Sequence, residues 1–442
     1  MSIHSEIPEN KKVEHLILLV GGNPLPNAVA GRLLVRPGGR ITLVHSADTY
    51  SIAERLKKWF ERMPHRIPTQ LSQTSESIAG EIAATASGLV KEGEQIGLNY
   101  TGGTKAMAVH SHHILYDKIK PQHRSYLDPY TLSLRFDDGA SCYVGTSLQV
   151  ELDSDLMALH KQMAFDPKHL PEKRAMLPQT AVAIARKWSK SSFRRNWVNW
   201  FGGYDRKKKK TYGYLYHLNR GPGKDDTSGR YQNWVVATQL RARTIPFPPG
   251  VDSVLRQELI ELGYPLQHTE LNLGDAYDVA AHPLTNAPWV EDLCDWFKAQ
   301  WLEHAVFVAM ENLRDKHDLH AILLNVDVLP AMPSGSDGFE IDVAAVRGYQ
   351  LFGISCTTSA KWSTIKGKMF EVAMRVRQLG GDESRLAVVS TTDKARGLEE
   401  EMQNTMGFPI KVFGMDDLAD LERKLDIWIQ TQIGEQGDEQ CE

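Results

Sequence analysis

The feature that most limits the fold is a repeated alternation of apolar runs and amphipathic stretches across the first third of the chain. His15 to Gly22 reads HLILLVGG, an apolar run ending in glycines, which predicts a buried strand entering a loop. Arg40 to Ala47, RITLVHSA, repeats the pattern ahead of a helical stretch, TYSIAERLKKWFERM. A second amphipathic helix, SESIAGEIAATASGLVKEG, precedes a third strand, QIGLNY (Gln95 to Tyr100). That strand runs into TGGTKAMAVHSHHILY, a loop and then a helix. Strands separated by helices of this length require right-handed crossovers and a parallel sheet. Two further strand-like runs, TLSLRF and SCYVGT, fall near residues 131–146 and complete a first domain over residues 1–150.

At 442 residues the chain has room for two or three domains, each with its own core. Residues 151–289 form a less regular connecting region. Within it, Arg186 to Arg230 holds 13 Lys or Arg against 3 acidic residues. Aromatic residues are interleaved: Trp188, Phe193, Trp197, Trp200, Phe201, Tyr204, Tyr212, Tyr214 and Tyr216. Cations beside stackable rings suit single-stranded nucleic acid. The same pattern also reads as an aromatic core with a lysine run at an exposed hairpin tip, because TYGYLYHL alternates like a strand. Either way, Arg206, Lys207, Lys208, Lys209 and Lys210 are the candidate nucleic-acid contacts. The formal net charge of −4 excludes nucleic-acid binding through bulk charge.

Residues 290–442 regain order. VEDLCDWFKAQWLEHAVFVAMENLR predicts a long helix, and AILLNVDVLP, EIDVAAVRG and QLFGISCTT predict strands, the last two joined as a hairpin at Arg347-Gly348. STIKGKMFEVAMRVRQLGG predicts a helix closed by Gly380 and Gly381; RLAVVSTT and PIKVFG are strands, and MDDLADLERKLDIWIQ a final helix. The four cysteines, Cys142, Cys294, Cys356 and Cys441, form no CxxC pair, which argues against a disulfide scaffold or a zinc site. The start, MSIHSEIPENKK, has no apolar stretch of signal-peptide type, and no run approaches a membrane span. A cytoplasmic protein without membrane contact is the expectation.

In doubly wound sheets, ligands bind beyond the carboxyl ends of the strands. Three loops at that position are small and polar: GGNPLPNA, HSADT and NYTGGTKAM. Gly102 and Gly103 allow close backbone approach, the following helix start offers free amides to an anion, and Lys105 adds charge. GxxxxGK[ST] is absent, so this is not a P-loop. The residues point to a phosphate- or nucleotide-binding pocket without an evident hydrolytic apparatus. The pair GGNPLPN and LNYTGGTKAM resembles the CARF domain of type III CRISPR accessory proteins, over roughly residues 14–150. The resemblance implies a homodimer binding a cyclic oligoadenylate, cyclic tetra-adenylate above all, across its two-fold axis. Asn99, Thr101, Gly102, Gly103, Thr104, Lys105 and Met107 match the motif, and Gly21, Gly22, Asn23 and Pro24 match the first loop. Ser46 and Thr74 are candidates by loop position alone.

A second constellation lies near the other end. Glu303 falls on a helix, and Glu340 and Asp342 on a strand whose alternation puts them on one face. Grouped carboxylates suit a hard cation, Mg²⁺ or Mn²⁺, that polarises phosphate and activates water; the same residues also read as ordinary surface carboxylates flanking a turn. The order of helix glutamate, strand aspartate, hairpin and helix resembles the PD-(D/E)XK nuclease fold over about residues 290–412. The resemblance makes Glu303 the helix glutamate and Asp342 the metal-binding aspartate. That family carries E-x-K at the end of the second hairpin strand, where this chain has Ser355-Cys356-Thr357. Either the nuclease is inactive, or its lysine and glutamate have moved to the next helix, which carries Lys361, Lys366, Lys368 and Glu371. Lys361, Lys368 and Glu371 share roughly one face there, with Ile365, Met369, Val372 and Val376 inward. The hydroxyls of Ser355, Thr357 and Thr358 remain available to phosphate.

The sequence thus leads to an α/β chain, an N-terminal Rossmann-like CARF domain followed by a PD-(D/E)XK restriction-endonuclease-like domain. The expected function is a cyclic-oligoadenylate-activated, metal-dependent nuclease of type III CRISPR defence, cutting DNA or RNA. Glu303, Asp342, Lys368, Lys361 and Thr357 are its candidate catalytic residues, and Asp342, Glu303 and Glu340 its metal ligands. Two rivals differ in kind: a ligand-gated binding protein on a degenerate nuclease fold, and a ring nuclease degrading the cyclic ligand itself.

Overall fold

The computed structural model describes residues 7–62, 64–160, 163–205, 207–208, 210–215, 244–262, 270–272, 295–330, 338–407 and 409–434. Seven strands build the first sheet: β1 (Val13–Leu19), β2 (Val35–His45), β3 (Thr69–Gln73), β4 (Ile96–Asn99), β5 (Arg124–Asp128), β6 (Ser133–Phe136) and β7 (Ser141–Tyr143). Their order is β3-β2-β1-β4-β5-β6-β7, parallel from β3 to β5 and antiparallel from there to β7. Helices α1 (Leu25–Leu34), α2 (Tyr50–Arg62), α3 (Ala79–Gly88) and α4 (Lys105–Leu115) make the crossovers. The central strand β1 explains its own sequence. Leu16 and Leu18 pack into one hydrophobic core and Ile17 and Leu19 into another, so both faces are covered and the run is apolar throughout.

The second sheet has six strands, β8 (Met163–Phe165), β13 (Leu319–Pro330), β14 (Phe339–Arg347), β15 (Gln350–Thr357), β16 (Arg385–Ser390) and β17 (Lys411–Phe413). They run in the order β17-β16-β15-β14-β13-β8, with β9 (Gly203–Asp205) to β10 (Lys210–Tyr212) and β11 (Thr244–Ile245) to β12 (Leu271–Asn272) as separate two-stranded pairs. Strands β14 and β15 form the expected hairpin, turning through Gly348 and Tyr349 because Arg347 pairs with Gln350. Helices α5 (Pro178–Trp188), α6 (Ser191–Phe201) and α7 (Asp252–Glu261) come from the connecting region. They are followed by α8 (Trp301–Asn312), α9 (Trp362–Gly380), α10 (Ala395–Met406) and α11 (Leu421–Gly434).

The aromatic residues of the connecting region are mostly core. Trp188, Phe193, Trp197, Trp200 and Phe201 are buried with Trp296, Phe297 and Trp301 of the segment leading into α8. Trp188 and Trp301 pack with ring centroids 4.6 Å apart and planes tilted by 38°. These rings fill space between helices and the second sheet, which removes them as stacking platforms for bases. Lys207 and Lys208 are exposed in the turn of the β9–β10 hairpin, with Tyr212 and Tyr214 exposed nearby. Lys210 begins β10, while Arg206 and Lys209 lie outside the described residues.

The two sheets share one hydrophobic core, in which Val144, Val150 and Leu156 meet Val346, Tyr349 and Leu351. Polar contacts reinforce the junction: Asn23 Nδ2 donates to Glu383 Oε2 at 2.7 Å, and the Val150 amide donates to the Gly348 carbonyl at 3.0 Å. Among the described residues, no helix is long and apolar enough to cross a membrane.

Candidate functional site

The three expected loops of the first sheet gather beyond the carboxyl ends of β1, β2 and β4. Their closest approach is backbone on backbone. A Cβ at Gly21 would lie 2.9 Å from the Gly103 amide nitrogen, and one at Gly102 would overlap the Leu19 carbonyl oxygen. Only glycine fits such an approach. Around this contact the polar side chains hold the loops in shape. Asn99, fully buried, donates to Ser125 Oγ at 3.0 Å and accepts from the Thr101 amide. Thr101 Oγ1 accepts from the Leu127 amide at 2.7 Å. Thr104 caps α4, accepting from the Met107 amide at 3.1 Å and donating to the Glu76 carbonyl at 2.5 Å. Met107 is buried beneath the helix start, and Ser46 bonds within its own loop to Thr49.

Two residues remain available to a ligand. Lys105 is exposed at the first turn of α4. Thr74 follows β3, and its buried Oγ1 has no hydrogen-bond partner among the described residues, an unmade bond in a place where burial alone would be costly. Gly22 is exposed at the tip of the first loop. Asn23 is turned elsewhere: besides Glu383 it accepts from the Leu25 amide at 3.1 Å and meets His160 Nε2 at 3.2 Å. It ties the first loop to the second sheet. Pro24 is buried behind it.

The second site is assembled from four elements. Asp342 on β14 is 3% exposed. Its Oδ2 accepts from Ser355 Oγ at 2.8 Å and from the Cys356 amide, and lies 3.8 Å from Lys368 Nζ on α9. Glu303 enters from α8. Burial first, then the charges of Asp342 and Glu340, push its carboxyl up to about 8. Burial likewise raises Asp342, opposed by Lys368 and the two β15 donors. Glu340 is exposed as a residue, yet burial of its carboxyl and the charges of Asp342 and Asp327 raise it as well. Burial works against the Lys368 ammonium, but Asp342, Glu371 and Glu340 outweigh it and hold the lysine above its ordinary value.

Two details of this site are not visible as motifs. Alternation along β14 breaks at Asp342: Ile341 packs into the core shared with the first sheet, whereas Val343 packs into the aromatic-rich core. The neighbouring strand β13 changes face at the same level, between Leu324 and Val326, where Asn325 takes a left-handed φ of 53°. Asparagine tolerates that conformation better than most residues. The second detail is Glu172, from the connecting region. It exchanges both backbone bonds with Leu324, its Oε1 accepts from Asn325 Nδ2 at 3.1 Å, and its charge adds to the upward push on Glu303.

The other expected residues divide plainly. Lys361 is exposed at the N-cap position of α9 and makes no side-chain capping bond, and Lys366 pairs with Glu401 at 2.5 Å on α10. Thr357 accepts from the Ser359 amide at 3.2 Å, shaping the turn after β15. Ile365, Met369, Val372 and Val376 are buried as the helix pattern required. Among the described residues, no group of three His, Cys, Asp or Glu side chains is drawn together closely enough to hold a metal ion. The donor chemistry nonetheless suits a hard cation. The donors are all carboxyl oxygens, the charge of Asp342 raises both Glu303 and Glu340, and the hydrogen bonds made by Asp342 fall on one of its two oxygens.

Comparison with solved structures identifies the architecture. Protein VC1899 from Vibrio cholerae superposes with a TM-score of 0.63 at 16% identity, covering 95% of this chain and 98% of that one. Can2 from Sulfobacillus thermosulfidooxidans, solved in complex with cyclic tetra-adenylate, gives 0.60 at 14% identity, covering 94% of this chain and 99% of that one. The chain therefore has the two-sheet α/β fold expected from its sequence, shared with these structures along nearly its full length. No protein-family model and no curated protein sequence matches the chain.

Proposed function

We propose that the chain is a cyclic-oligoadenylate-regulated effector of type III CRISPR defence, whose second domain is a divalent-metal-dependent nuclease. Residues 1–150 form the sensor, 151–289 connect and residues 290–442 cut. The observation that carries the nuclease reading is the ion pair between Lys368 and Asp342 at 3.8 Å. It brings a cation from α9 to the buried aspartate although β15 carries Ser-Cys-Thr where the family has E-x-K. Glu371, one turn along the same helix, contributes charge to that lysine.

A divalent cation, Mg²⁺ or Mn²⁺, on Asp342 and Glu303 with support from Glu340 would polarise a phosphodiester and lower the pKa of water. The chain's own residues do the rest. Ser355 and the Cys356 amide fix the Asp342 carboxylate, and Lys368 offsets charge developing on the phosphate. Cyclic tetra-adenylate, the ligand of the Can2 complex, fits the first site in kind: a loop cradle preformed around Gly21 and Gly102, with Lys105 free for phosphate. A homodimer would present these loops twice to a symmetric ring. Asn23 and Glu383 give ligand occupancy a direct route to the segment that follows α9. A cytoplasmic location accords with this role.

One observation favours the binding-only alternative: the missing E-x-K leaves no carboxylate at Ser355. Cleavage of labelled RNA and DNA by the wild-type chain and by Asp342→Ala, with ligand and metal, decides between them. Loss of cutting with retained ligand affinity supports the nuclease; no cutting by wild type supports the binding protein. Turnover of the cyclic ligand in Asp342→Ala would instead indicate a ring nuclease.

A further inference from the structure

A second cavity of the first domain plays no part in that reading. The ligand loops lie beyond the carboxyl ends of β1, β2 and β4, whereas this cavity, near 740 Å³, opens at the amino ends of β2 and β3. The last turn of α1, residues 35–39 and residues 65–67 enclose it. Five basic side chains, Lys12, Arg32, Arg36, His65 and Arg66, line it, with no acidic residue among its described lining.

The state of these cations is informative. Arg36 is positioned by uncharged acceptors: Nη1 donates to Gln95 Oε1 at 2.7 Å and Nη2 to the Glu9 carbonyl at 3.2 Å. Its guanidinium is oriented while no carboxylate among the described residues pairs with its charge. Arg32 and Arg66 have no hydrogen-bond or ion-pair partner among the described residues. Of the five, Lys12 alone has a carboxylate partner among the described residues, Glu9 at 2.5 Å. Beneath the cations, Ile7, Val35 and Ile67 are buried and give an apolar floor. Like charges gathered around a hollow repel one another until an anion joins them. The volume falls within the roughly 300–1,000 Å³ of small-molecule pockets.

We infer that this cavity binds a phosphorylated small molecule of nucleoside-phosphate size, with phosphate oxygens on Arg32, Arg36 and Arg66 and a flat or apolar body over Ile7, Val35 and Ile67. The site is separate from the cyclic-ligand loops and does not depend on the nuclease reading. Isothermal titration of the full chain with ATP, inorganic pyrophosphate and adenosine tests it. ATP and pyrophosphate bind and adenosine does not; Arg32→Glu with Arg66→Glu weakens ATP by roughly tenfold or more, about 1.4 kcal/mol. Lys105→Ala, at the other pole, leaves the ATP affinity unchanged. If charge reversal unfolds the chain, Arg32→Gln with Arg66→Gln reads the same loss. Absence of binding by both ATP and pyrophosphate overturns the site, as does an ATP affinity that survives the arginine changes.

Discussion

The loops beside β4 and the carboxylates beside β14 are both polar, yet they are held in opposite ways. At the loops, Asn99, Thr101 and Thr104 each bond to backbone or to a neighbouring side chain, and glycine-on-glycine contact fixes their spacing. Little is left to settle when a ligand arrives, which is how preorganisation favours affinity. At the carboxylates, burial raises Glu303, Glu340 and Asp342, the charge of Asp342 raises the two glutamates further, and Lys368 counters all three with help at Asp342 from its two β15 donors. That cluster is incomplete without more positive charge. A finished cradle suits recognition, and an unfinished charge cluster suits chemistry that a cation completes.

Removing the counter-charge sharpens the contrast most. Lys368→Ala should lower ligand-activated cleavage by roughly 100-fold, the order seen when one transition-state donor is deleted. Lys361→Ala, exposed at the α9 cap, should leave the rate nearly unchanged; equal losses in both would remove Lys368 from its role. In the cradle, Gly102→Val should drive a side chain into the Leu19 carbonyl, costing about 1–3 kcal/mol of stability and the ligand affinity with it. Thermal melts with ligand titration read both. Lys105→Ala should weaken cyclic tetra-adenylate binding by about tenfold with no shift in melting temperature, because the lysine is exposed. A matching fall in stability would make it a structural residue.

The smallest effect concerns pH. Glu303 has a folded pKa of about 8, above its ordinary value, so the folded chain holds a proton that the unfolded chain releases. Stability from this source is full below the ordinary carboxylate range and is lost as pH rises through about 8. Urea melts should show the chain less stable at high pH than at mildly acidic pH, with Glu303→Gln flattening part of the slope. An unchanged slope in that variant would mean Glu303 is ionised in the folded state. Buried Glu383, raised by its burial to about 7, contributes the lower part of the same decline.

How far the sequence carried depends on whether a residue's neighbours were local. The strands β1 and β4 were legible because both faces are buried and the runs are apolar. Strand β3 went unnoticed: TQLSQ has one large apolar residue, and as an edge strand it keeps only Thr69 buried. The TGGTK loop was legible as a turn, but the reason for Gly102 lies in Leu19, on another strand. Lys361 and Lys368 could not be separated until the start of α9 was known, because a cap and a second-turn position differ in where they stand. Glu172 carried no motif at all. It reaches Glu303 through a bridge to Leu324, a pairing of distant segments that periodicity cannot report. The aromatic residues ahead of the lysine run invited two readings, and for Trp188, Phe193, Trp197, Trp200 and Phe201 packing with Trp296 and Trp301 decided for the core.

The central claim is that Asp342 and its moved lysine form a working centre controlled from the loops of the first sheet. Cleavage of labelled single-stranded RNA, single-stranded DNA and plasmid, with Mg²⁺ or Mn²⁺ and with or without cyclic tetra-adenylate, tests it most directly. Cutting that requires ligand, metal and Asp342 together, and that disappears in Asp342→Ala with ligand affinity intact, is the predicted result. Tight ligand binding without cutting of any substrate would contradict it.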